Sequence, residues 1–222
     1  MRNIITIWHG SSHIIEKPEY GRGNPYNDYG LGFYCTEHKA LAKEWACTEN
    51  RDGFANGYQI DVSQLKVLDL SKYSILHWLT LLVLNRRFDT STPIANRGVQ
   101  YLAENFLIDT TQYDIIRGYR ADDSYFSFAR DFTKNIISLR QLEHSMKLGK
   151  LGEQIVVTSP KGFSSLQYLK NETSDNTIYY MKRRCRDEAA RTAYRSQMDD
   201  IEGLFMRDII KENIQDGDPR LF

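Results

Sequence analysis

Two short blocks near the start of the 222-residue chain combine residue types that can do chemistry. His9-Gly10-Ser11 closes the apolar run Ile4-Ile5-Thr6-Ile7-Trp8, and Gly30-Leu31-Gly32-Phe33-Tyr34-Cys35-Thr36 follows further on. The first run is β-branched and aromatic enough for a strand, so His9 falls at a strand end, where an imidazole can point into a cleft. The two glycines of the second block allow the backbone to pass close to a flat ligand before Phe33 and Tyr34 begin another element.

The elements that must position these groups follow from the pattern around them. Residues 11 to 29 carry Pro18, Gly21, Gly23 and Pro25 among Asn24, Asn27 and Asp28, and read as a long loop. Thr36 is placed to cap a helix from Glu37 to about Thr48, with Leu41, Ala42, Trp45 and Ala46 on one face. Tyr58–Val62 alternates as a strand, with Lys66–Leu70 expected as its partner. Helical periodicity runs over Ile75–Arg87 and Ile94–Phe106, then Asp114-Ile115-Ile116 returns as a strand. Helices are expected over Ser124–Ile136 and Leu139–Leu148, a strand over Gln154–Thr158, and a weak helix from Pro160 through Leu169. Strands separated by helices without a regular βαβ period or a GxGxxG turn predict an α+β fold with a split sheet.

Composition narrows the field. With 41% hydrophobic and 12% aromatic residues the chain can fill a core, and Lys+Arg and Asp+Glu both count 29, so no global field selects nucleic acid or membrane. The most apolar window, Ile75–Leu84, is far shorter than the ~20 residues of a membrane helix, so no membrane partner is expected. Three cysteines without CxxC spacing disfavour a disulfide framework and a zinc site, and no export signal opens the chain, which points to a cytoplasmic protein. Metal catalysis is disfavoured, since His9 and His13 lie on a strand end and loop, where that spacing does not align two ligands. The expected organisation is a domain over 1–170 followed by a charged, mostly helical extension over 171–222, with the basic cluster Lys182, Arg183, Arg184 and Arg186 and later acidic residues.

Taken in order, four blocks carry a family resemblance: His9-Gly10-Ser11; Asp28-Tyr29-Gly30-Leu31-Gly32-Phe33-Tyr34; Tyr113 to Gly118 running on to Ala121-Asp122-Asp123; and Gln154-Ile155-Val156-Val157-Thr158. They resemble the His-Tyr-[Glu/Asp/Gln] branch of the ADP-ribosyltransferases, which is similar to the poly-ADP-ribose polymerases, and more closely a bacterial subfamily, DUF3990. The resemblance implies an ADP-ribosyltransferase-like split β-sheet with flanking helices, and NAD as the substrate that is cleaved. It implies that His9 hydrogen-bonds a ribose hydroxyl, that the Gly10 backbone reads the carboxamide with Ser11 assisting, and that Gly32 and Tyr34 bound the nicotinamide, Tyr34 by stacking. Trp45, eleven residues after Tyr34, matches a second aromatic wall of the polymerase-like members, or is simply core. A serine common three residues before that aromatic is Ala42 here. Polymerase-like members align Glu153 with their glutamate, whereas the closer subfamily aligns Gln154, which is preferred. A glutamine can hydrogen-bond a ribose hydroxyl but cannot act as a general base, which suits a single transfer.

The acceptor side is expected at Asp122 and Asp123, a carboxylate pair that also qualifies as a helix N-cap, with Tyr125 lining it or filling the core. Arg22 and Asn24 of the long loop are candidates to cover the adenosine or diphosphate. Further, the resemblance implies a toxin of a toxin–antitoxin or phage-defence pair, a macromolecular acceptor, protein or nucleic acid, and a neutralising antitoxin, sought on the helices after Met181. Competing readings are a NAD glycohydrolase, a NAD-binding module without turnover, and nucleic-acid binding through the basic cluster interleaved with Tyr179, Tyr180 and Tyr194.

Overall fold

Alternation along Ile4–Ser11 makes β1 a two-faced strand: Ile7 is buried in one apolar cluster and Trp8 in another, on the other side. The computed structural model describes residues 3–148, 153–197, 199–200 and 202–222. Strand β1 pairs antiparallel with β3 (Gly53–Asp61), from Ile4↔Asp61 to Ser11↔Phe54, and β3 pairs on its other edge with β7 (Leu166–Ser174). A second sheet has the order β2 (Phe33–Cys35), β6 (Glu153–Val157), β5 (Ile115–Tyr119), β4 (Val67–Asp69). The sheets meet where Trp8 and Thr36 exchange two backbone hydrogen bonds, 2.8 and 3.0 Å long. The fold is therefore α+β with two small sheets.

Ile7, Phe33, Cys35, Tyr58, Ile60, Ile115, Ile155 and Val157 form one buried cluster shared by the two sheets. The other face of the second sheet, through Leu68, Ile116 and Val156, packs on helices α2 (Ile75–Asn85), α3 (Pro93–Asn105), α4 (Asp123–Thr133) and α5 (Leu139–Lys147). Strands β5 and β6 are apolar on both faces for that reason. Ser74 caps α2, Thr92 caps α3 with Pro93 in its first turn, and Ser138 with Gln141 makes a full capping box on α5. The apolar window at Ile75 is a buried helix, and no helix of the described residues is long and apolar enough to cross a membrane.

Three local expectations are corrected. Lys66–Leu70 does supply a strand, but β4 pairs parallel with β5, because β1 and β7 already occupy both edges of β3. Helix α1 (Lys39–Ala46) starts after His38, which makes no side-chain cap, while Thr36 Oγ1 accepts from the His38 N–H at 3.2 Å. The helix expected through Leu169 stops early: α6 (Pro160–Ser164) is a single capped turn, and Leu166 and Tyr168 then pack on the cluster between the sheets as part of β7. Residue 170 lies inside that strand. The segment beyond it forms α7 (Asn176–Arg195) and α8 (Met206–Lys211), and Ala190, Met206, Ile209, Ile214 and Leu221 join the cluster of α2 to α5.

Candidate functional site

Strand register decides which of the two polar neighbours meets Tyr34. Tyr34 lies opposite Val156, so Gln154, two residues from Val156, shares the face of the tyrosine, and Glu153 takes the other. Glu153 is held there by the Arg117 Nε, while Arg117 Nη2 reaches Glu37 Oε2 at 2.7 Å. Gln154 is buried, and its amide nitrogen donates to Asp28 Oδ2 at 2.9 Å. Asp28 is a node: its Oδ2 also accepts from the Ala121 N–H at 2.9 Å, and its Oδ1 accepts from Arg86 Nη1 at 3.0 Å. With its N–H groups turned to a carboxylate that can only accept, Gln154 has its carbonyl oxygen left for a ligand donor.

Tyr34 is fixed at its hydroxyl, which donates to the Gly30 carbonyl at 2.6 Å and accepts from the Tyr29 N–H at 3.0 Å. Gly30 makes that turn with φ of 75°, a conformation that disfavours a side chain. Burial, with the Asp28 carboxylate adding to it, raises the Tyr34 phenol well above its ordinary range, so it stays protonated.

Tyr34, Gln154 and Trp45 of α1 line one cleft of about 280 Å³, together with Asp28, Arg86, Arg120, Asp122 and Arg183. The Arg120 guanidinium lies 3.8 Å from the centre of a Trp45 ring, so a cation rests on one face of the indole that the resemblance offers as a second aromatic wall. Trp45 Nε1 and Arg120 Nη1 are both buried without a hydrogen-bond partner among the described residues. Burial lowers the Arg120 pKa, Asp122 opposes that, and the neighbouring Arg183 cation adds to it.

His9 stands beside this group and not in it. Its Nδ1 is 2.7 Å from the Tyr34 carbonyl and its ring stacks on Phe33, with centroids 4.4 Å apart, on the face of β2 opposite the Tyr34 ring. The carbonyl requires a proton on Nδ1, leaving Nε2 as an acceptor. Burial holds the imidazole below the usual histidine range; the Tyr34 carbonyl works against this and His13 works with it. A lowered folded pKa means the unfolded chain takes up the proton first as pH falls through about 6.5, so this contribution to stability is present above that pH and lost below it. We expect a His9→Phe variant to show a flatter decline of Tm between pH 7 and 5 than the unsubstituted chain; identical slopes would contradict a buried neutral His9.

Other sequence candidates have local roles. A Cβ on Gly10 would lie 2.1 Å from the Ala42 carbonyl oxygen and 2.9 Å from the Ala46 nitrogen, so this glycine is needed for β1 to lie on α1. Gly10→Ala is therefore expected to destabilise by about 1–3 kcal/mol, read from the denaturant midpoint. Gly32 similarly approaches Val156 Cγ1, at 2.6 Å from a built Cβ. Ser11 Oγ donates to the His13 carbonyl at 2.5 Å and accepts from Asn56. Arg22 is exposed and pairs with Glu19 at 2.7 Å, and Asn24 Oδ1 accepts from the Tyr26 N–H at 2.9 Å; neither lines the cleft. Asp122 occupies the N-cap position of α4 without a capping bond, its carboxylate taken by Arg120 Nε, and the Asp123 side chain lies outside the described residues. Tyr125 is buried in the core with its hydroxyl donating to the Leu148 carbonyl, and it also lines the neighbouring cleft under α7.

Asp28, Arg86 and Arg120 enter the cleft without a role assigned from sequence, and Arg183 enters it from the basic cluster that the sequence pointed to nucleic acid. Asp28 reads locally as a turn former, and nothing local distinguishes Arg86 and Arg120 from other cations. Among the described residues no group of three His, Cys, Asp or Glu side chains is placed to hold a metal.

A two-sheet α+β fold whose cleft is lined by a tyrosine, a tryptophan and a glutamine from separate elements defines the class of molecule. A family model described as protein of unknown function (DUF3990) matches residues 5–168, and the chain belongs to that family. Neither the curated proteins nor the solved structures provide a match.

Proposed function

We propose that this chain cleaves the nicotinamide–ribose bond of NAD and transfers the ADP-ribose to a macromolecular acceptor, as a mono-ADP-ribosyltransferase. The observation that carries the reading is that Tyr34 of β2 and Gln154 of β6 share one face and line one cleft with Trp45 of α1, whereas His9, the first residue of the resemblance, lies on the other side of β2. In this chemistry the bond from ribose C1′ to the nicotinamide nitrogen breaks and its electron pair leaves with the ring. The acceptor nucleophile then bonds to C1′ and loses its proton to a base. Positive charge develops on the ribose, so groups that orient the sugar and the departing ring contribute most. Tyr34, pinned through its hydroxyl, offers a rigid flat face. The Gln154 carbonyl oxygen can accept from a ribose hydroxyl, and an amide supplies no proton transfer, in keeping with one transfer and no chain growth.

A neighbouring cleft of about 600 Å³, between α7 and the start of α4, shares Asp122 and Arg183 with the first and gives an acceptor a place to approach. The same reading includes action in the cytoplasm as a toxin of a toxin–antitoxin or phage-defence pair, with a neutralising protein partner. The test is to incubate the full chain with adenylate-labelled NAD and cell lysate, then digest separately with protease and with nuclease. Label retained on one macromolecule class supports transfer and names that class. Label released only as free ADP-ribose would make the protein a hydrolase, and full activity in Gln154→Ala would remove this site.

A further inference from the structure

Among the described residues, the cleft holds one more cation than its carboxylates neutralise. Asp28 pairs with Arg86 and Asp122 with Arg120, whereas Arg183 has no hydrogen-bond or carboxylate partner among the described residues. Arg183 is brought there by its neighbour one turn on: Arg186 grips the buried Glu44 of α1 through Nη2 at 2.8 Å and Nε at 3.1 Å, which ties α7 to the helix that carries Trp45. Two further donors lining the same cleft, Trp45 Nε1 and Arg120 Nη1, lack acceptors among the described residues, and the Arg120 guanidinium carbon lies 3.8 Å from the centre of a Trp45 ring. Buried donors are rarely left unpaired in a finished site, and here they accompany an uncompensated positive charge. A neutral carboxamide would satisfy one donor and leave the charge. A diphosphate brings several acceptor oxygens and negative charge together, which suits planar guanidinium groups.

We propose that Arg183, Arg120 and Trp45 Nε1 form the seat of a diphosphate, so that α7, which lies beyond the residues matched by the family model, completes the nucleotide site. The identity of the nucleotide rests on the NAD-cleaving reading above; the anion seat itself does not. Titration calorimetry of the full chain with inorganic pyrophosphate, ADP-ribose and nicotinamide, in unsubstituted, Arg183→Gln and Arg183→Lys forms, tests it. Loss of one charge-assisted contact predicts at least about tenfold weaker binding of ADP-ribose and pyrophosphate in Arg183→Gln, with partial recovery in Arg183→Lys and no change for nicotinamide. Arg183 is half-buried on a helix surface, so an unchanged Tm is the expected control for folding. Equal ADP-ribose affinity in Arg183→Gln would overturn the seat even if NAD is consumed. Arg183-dependent binding without NAD consumption would keep the seat and overturn the transferase reading.

Discussion

Asp28→Ala is expected to lower the stability of the chain by roughly 3–5 kcal/mol, a drop in Tm of about 10 °C, because it removes the acceptor from three donors at once. The Gln154 amide, the Ala121 N–H and the Arg86 guanidinium all converge on this one carboxylate, and Asp28 and Gln154 are both nearly inaccessible to water. Water cannot readily take over the lost hydrogen bonds, so each orphaned group bears its desolvation cost. Arg86 Nη1 keeps its 2.7 Å bond to the Ala121 carbonyl, which limits the loss on that side. Thermal and urea unfolding give the measurement, and an Asp28→Ala chain as stable as the parent would show that this node does not hold the cleft together. Asp28→Asn should fall between the two, since it retains an acceptor oxygen but presents N–H groups to a cation or an amide.

The second large effect concerns the group two residues from Val156 on β6. On the proposed NAD-cleaving reading, Gln154→Ala is expected to slow that reaction by about 10²–10³-fold, the size seen when one polar group supporting a transition state is removed. Gln154→Glu separates the chemistry from the packing. A carboxylate there would stand where Gln154 Nε2 now lies 2.9 Å from Asp28 Oδ2, so two anions would share a buried site, and one would be forced to hold a proton. The substitution should therefore destabilise the fold, and the double variant Gln154→Glu with Asp28→Asn should recover much of that loss. A double-mutant cycle on unfolding free energies measures the coupling; additive losses would mean that the two side chains do not interact as described.

Elements whose identity rests on their own periodicity were legible in the sequence. The buried helix at Ile75, the Ser138-capped helix and the apolar strand Gln154–Val157 each contain their signal, because burial on one face or on all sides writes itself into local spacing. Gln154 and Glu153 had to face opposite ways for the same reason. Which of them meets Tyr34 depends on the pairing of Tyr34 with Val156, a register between residues more than a hundred positions apart. β7 was missed because its polar half, Lys170 to Ser174, has no strand pattern of its own and is held by the open edge of β3. The parallel partnership of β4 with β5 was hidden likewise, since strand propensity does not name a partner.

Chain chemistry by itself determined the α+β class and most helices and drew attention to His9 and Tyr34 through residue type and short spacing, whereas Trp45 and Gln154 come in through the family resemblance. Tertiary structure alone decided that Asp28 anchors Gln154, that Arg120 covers Trp45, that His9 binds the Tyr34 backbone on the far side of β2, and that Arg183 reaches the cleft from α7. Charge pairing and burial between distant segments are properties of the packed molecule, and no local pattern of side chains encodes them.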